Sequence, residues 1–100
     1  MSLTVTDKKI AEHMSSVSRI PYTTASHFVG AFKSNNLVQL SILAEKHLMT
    51  AEQSETLKDN GLTVSDIVTN SYDVDSYAVA QWITREWNDA LGYRIFASEV

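Results

Sequence analysis

The chain has 100 residues, 44% of them hydrophobic and 20% charged, and its eight Lys and Arg against twelve Asp and Glu give a formal net charge of -4. That is the make-up of one globular domain, not of a disordered tail or a fibre. With no Cys in the sequence, disulfides, zinc–thiolate sites, iron–sulfur clusters and cysteine nucleophiles are excluded.

A chain of this size has room for a single core, so one small helical domain over residues 1–100 is expected. The opening stretch Met1–Lys9 lacks the basic and apolar regions of a signal peptide. Leu37–Ala44, the longest apolar run, is interrupted by Gln39 and Ser41 and falls far short of a membrane span. A cytoplasmic protein with no membrane association, monomeric or homodimeric, is the expectation.

A first helix is expected after Thr6, with Asp7 near its positive end and Ile10, Met14 and Val17 as its apolar stripe. Ile20-Pro21 breaks it, because Pro disfavours α geometry in the residue before it. From Tyr22 to Lys33, Ala25, Phe28, Val29 and Phe32 recur at i, i+3, i+4 and i+7, an amphipathic helix. Asn35-Asn36 ends that helix and caps the next, Leu37 to His47. This third helix is apolar on most of its circumference: Leu37, Leu40, Ala44 and Leu48 lie on one side, with Val38 and Ile42 well away from them. A central, buried helix is preferred over one that keeps a second face for a partner.

Thr50-Ala-Glu-Gln53 has the spacing of a capping box, and the mostly polar helix it opens stops at Asn60-Gly61. Thr63-Val-Ser-Asp66 is a second such start, followed by Val64, Ile67 and Val68 on one small helix. Asp75 is expected to cap the last helix, which runs to Leu91 and stops at Gly92. Its Val79, Ile83, Trp87 and Ala90 share a face. The tail Tyr93–Val100 and Leu3–Val5 alternate weakly, which allows a minor two-stranded ribbon between the termini. The expected fold class is all-α, a compact bundle of five or six short helices.

Charge is unevenly placed. Residues 1–58 hold six basic and five acidic side chains, a formal +1, whereas residues 59–100 hold Arg85 and Arg94 against seven acidic ones, a formal -5. Asp59, Asp66, Asp73 and Asp75 occur in a stretch with no basic residue, and Tyr72 and Tyr77 sit within or beside it. Such a surface suits a basic protein partner, with Tyr supplying contact area at low entropy cost. The plainer reading makes Asp66 and Asp75 helix caps.

On the last helix Glu86 falls between Trp82 and Val79, inside the apolar arc. It either bonds a neighbour at the core edge or faces out with Trp82 as part of the partner surface. Trp82 and Trp87 lie about 140° apart, too far for one narrow core stripe to hold both. The candidate partner-binding set is therefore Asp59, Asp66, Tyr72, Asp73, Asp75, Tyr77, Trp82 and Glu86.

Val64–Ile83 resembles a helix-turn-helix, with Ile67 and Val68 in the first helix, Val74 at the turn and Ala78–Ile83 as a repressor-like recognition helix. The match lacks the usual turn Gly, its spacing after Ile67 is one residue too long, and its recognition segment opens with Asp73 and Asp75, which phosphates would repel, so direct nucleic-acid binding is disfavoured. His13, His27 and His47 fall on three different expected helices. The chain has no nucleophile elbow, phosphate loop or His-Glu-x-x-His motif, and its Asp spacing is not that of a calcium loop. No catalytic residue, metal site or cofactor is expected. The preferred function is a non-catalytic regulator or inhibitor of a partner with a basic surface. In size and charge alone the chain is similar to phage-encoded inhibitors of host nucleic-acid-handling machinery, anti-CRISPR proteins among them. A helix-turn-helix transcriptional regulator and a structural subunit of a homo-oligomer are the alternatives.

Overall fold

The computed structural model describes residues 3–96. Its helices are α1 (Val5–Ser18), α2 (Tyr22–Lys33), α3 (Leu37–His47), α4 (Ala51–Asp59), α5 (Val64–Val68) and α6 (Tyr77–Leu91), with a 3-10 turn at Val74–Ser76 leading into α6. No strand occurs among the described residues. The all-α bundle is the fold. The terminal ribbon is not seen: Val5 belongs to α1, Tyr93–Phe96 is irregular, and residues 97–100 lie outside the described residues.

Three helices start on the same device. Thr4, Thr50 and Thr63 each accept a hydrogen bond from the backbone N–H three residues on, while the side chains of Asp7, Gln53 and Asp66 reach back to the Thr N–H. In α1 this moves the start two residues ahead of the expected one, since Thr4 and Asp7 are the pair with capping-box spacing. Asn36 caps α3 by accepting from the Gln39 N–H at 3.1 Å, and the junction before it turns through Asn35 in the left-handed region, φ 54°. Pro21 stands immediately before α2, where its missing N–H costs nothing.

Asp7 does more than cap. It is buried, and Lys33 at the end of α2 reaches it at 3.5 Å, tying the start of α1 to the end of α2. The Thr4 backbone N–H, aided by the Thr4 hydroxyl and Lys33, holds the Asp7 carboxyl below its ordinary range against the opposing effect of burial. A lowered carboxylate pKa stabilises the fold above the unfolded value, and that contribution is lost as pH falls through the folded value. Asp7→Asn therefore flattens the fall in urea-unfolding stability below about pH 4. An unchanged acid limb would show that Asp7 contributes nothing to it.

The core is built from every helix. Met14 of α1, Phe28 of α2, Leu43 of α3, Leu57 of α4, Ile67 of α5 and Trp87 of α6 are all buried within it. Helix α6 touches α1, α4 and α5 and so closes the bundle. Its buried face runs through Ala80, Ile83, Thr84, Trp87 and Leu91, and Ala90 is exposed, contrary to the expected stripe. Thr84 can lie inside because its hydroxyl bonds back to the Ala80 carbonyl at 3.0 Å.

Beyond α6 the chain turns at Gly92, φ 69°, and folds back onto the helix it has just left. Asn88 holds it there: its Oδ1 accepts from the Ile95 and Phe96 N–H groups, both at 2.9 Å, and its Nδ2 donates to the Phe96 carbonyl at 2.9 Å. Phe96 then stacks at a tilt on Trp87, ring centres 5.1 Å apart. One side chain supplies the pairing that a strand partner would have given.

Candidate functional site: an acidic turn ahead of the last helix

The acidic stretch begins where α5 stops. Asn70 takes the left-handed conformation, φ 58°, and the Ser71 N–H closes onto the Asp66 carbonyl at 2.8 Å. Tyr72 is half-buried against the core, and its hydroxyl donates to Asn70 Oδ1 at 3.2 Å. Asp73 then accepts from the Ser76 N–H at 3.2 Å and so caps the 3-10 turn. Asp75 is not the cap of α6. It lies within the turn, and α6 begins at Tyr77 after Ser76 with no side-chain cap. The capping residue stands two positions earlier because a 3-10 turn precedes the α-helix.

Ser76 is buried and anchors the turn, whereas Val74 points outward with 84% of its surface exposed. Exposed Asp73 and Asp75 flank it, and exposed Tyr77 follows. No cation lies within ion-pair distance of either carboxylate among the described residues. The result is an apolar tip with a carboxylate on each side.

The other members of the expected set do not all join this tip. Asp66 is half-buried and spends one oxygen on the Thr63 N–H at 3.0 Å, the capping role of the plainer reading. Asp59 is exposed at the last residue of α4. Glu86 is exposed and accepts from Gln53 Nε2 at 2.8 Å, so it bonds a neighbour at the core edge. Trp82 is half-buried against the core rather than standing free, and Trp87 is 1% exposed, with its indole N–H donated to Gln53 Oε1 at 2.9 Å. One helix accommodates both Trp residues because Trp87 enters the core and Trp82 lies at its margin.

Gln53 was legible in the sequence as the end of a capping box, but not as a bridge to the last helix. It is buried, its oxygen accepts from both Thr50 N–H and Trp87 Nε1–H, and its nitrogen donates to Glu86. Its signal in the sequence was its place four residues before Leu57, on the one apolar line of a polar helix.

The helix-turn-helix resemblance meets a different geometry. Helix α5 spans five residues, and Thr69–Ser76 separates it from α6, where the motif has a turn of about three or four residues. In the segment matched to a recognition helix, Ala80, Gln81 and Ile83 are buried. The three histidines lie on α1, α2 and α3. His13 Nε2 donates to the Gly92 carbonyl at 3.0 Å, His47 sets its ring edge-to-face with Phe28, and His27 is exposed. Among the described residues no group of three or more His, Asp or Glu is placed to hold a metal ion, and no helix is long and apolar enough to cross a membrane.

Comparison with protein-family models, with curated proteins and with solved structures finds no match to this chain.

Proposed function

We propose that the protein is a non-catalytic regulator or inhibitor that binds a basic surface of a protein partner through the turn Asp73–Tyr77. The observation that supports this reading is Val74, the most exposed of the large apolar side chains among the described residues, set between the carboxylates of Asp73 and Asp75. An apolar tip desolvates on contact, and the flanking charges steer encounter and fix register. Tyr77 extends the contact, and half-buried Tyr72 supports the turn from beneath. The chain acts in the cytoplasm on this reading, and it blocks its partner by occupying a basic patch, as an inhibitor of a nucleic-acid-handling complex of the phage type would.

The test is affinity capture from a lysate of the native host, with the wild-type chain and Asp73→Asn/Asp75→Asn as paired baits. Asn retains the cap on Ser76, so the fold is kept. The wild type is expected to retain basic proteins that elute as salt rises to about 0.5 M, and the variant to lose them. Equal retention by both baits, with equal salt dependence, sinks the proposal.

A further inference from the structure

A different face of the molecule carries a second binding surface. Helix α3 was expected to be buried all round, yet Val38 is 72% exposed and Ile42 53% exposed. They are one turn apart and form an apolar line along a groove of about 650 Å³ between α3, α4 and α5. Buried Leu57 and Val64 and half-buried Met49 and Leu62 complete its apolar lining. The groove carries one charge of each sign: Glu45 on the α3 side and Lys58 on the α4 side. Neither has an ion-pair partner among the described residues.

We infer that this groove receives the same groove of a second copy of the chain, as a two-fold dimer interface. A chain with net charge -4 meets itself with least repulsion on a face whose charges cancel. A two-fold rotation about the groove exchanges its walls, so Glu45 of one copy falls on the side of Lys58 of the other, and the pair is made twice. With the walls exchanged, Val38 and Ile42 of each copy lie against the Leu57–Leu62 wall of the other and are desolvated there. An acidic or a basic foreign segment could satisfy only one of the two charges. The groove shares no residue with the acidic turn, so the inference stands whether or not that turn binds a partner.

Sedimentation equilibrium of the purified chain over a concentration series tests it. The wild type is expected to dimerise reversibly in the micromolar range. Ile42→Asp should weaken association about 30-fold or more, as loss of a central apolar anchor does. Glu45→Lys and Lys58→Glu should each weaken it about tenfold, because each reversal makes two repulsive pairs, and the double variant Glu45→Lys/Lys58→Glu should restore it. All three positions of change are exposed, and a thermal melt checks that each variant folds. A wild type that stays monomeric up to about 1 mM, weaker than the transient end of specific association, overturns the inference and leaves the groove to another occupant. A dimer indifferent to Ile42→Asp, or a double variant no better than the single ones, overturns it as well.

Discussion

Gln53→Ala is expected to destabilise the protein by about 2–4 kcal/mol, a large part of the roughly 5–15 kcal/mol that holds a domain of this kind together. Three losses combine. The Trp87 indole N–H, fully buried, is left without its acceptor at 2.9 Å. The Thr50 N–H loses the return half of its capping box. A cavity opens between α4 and α6, whose contact Gln53 bridges. Thermal or urea unfolding gives the magnitude; a loss under about 0.5 kcal/mol, the range of an ordinary surface change, would show that the network is not a structural joint. Gln53→Glu separates shape from charge. It keeps both acceptor contacts but sets a second carboxylate against Glu86, where Gln53 now donates at 2.8 Å. Two carboxylates at that distance hold a proton between them, so this variant should be weak at neutral pH and regain stability as pH falls. Adding Glu86→Gln should restore it at neutral pH.

Gly92→Ala should cost about 2–4 kcal/mol through two independent effects. The residue sits at φ 69°, where a side chain is strained. A Cβ there would also meet both Val17 methyls at 2.9 Å. Val17 is branched at Cβ and held on α1, so it has little freedom to turn aside. Val17 is half-exposed, and Val17→Ala alone should cost little. In the double variant the steric part disappears and the backbone part stays. A double-mutant cycle should thus show a coupling of about 1–2 kcal/mol. No coupling would mean that α1 moves away from the turn, and the loss of the His13–Gly92 hydrogen bond, 3.0 Å long in the wild type, would accompany it.

These positions show how far the sequence carries. The boundaries of α2, α3 and α4 were legible because each is set by local chemistry: Pro21, the Asn35-Asn36 pair, the Thr50–Gln53 box and Gly61, which takes φ 64°. Asp75 was misplaced as a cap because a 3-10 turn and a helix start share the same residue preferences, and only the backbone distinguishes Asp73. The ribbon was suggested by alternation, which is equally compatible with a tail clasped by Asn88. The exposed face of α3 was hidden for another reason. Hydrophobicity all around a helix tells that the helix is covered, without telling whether its own chain supplies the cover.

For the acidic surface, the sequence located the charge but not its grouping. Asp73, Asp75 and Tyr77 surround the exposed Val74, while Glu86 is drawn to Gln53, thirty-three residues earlier in the chain. That separation in sequence is why no spacing rule could announce the pairing.

The clasp formed by Asn88 also bears on how the chain is made. Helices α1 and α2 pack on each other and can associate while the rest is still being synthesised. Phe96 lays its ring against Trp87, so this contact of the core forms only after that residue has left the exit tunnel. A chain stalled before Phe96 therefore leaves one side of the Trp87 indole without the ring that packs on it in the finished fold.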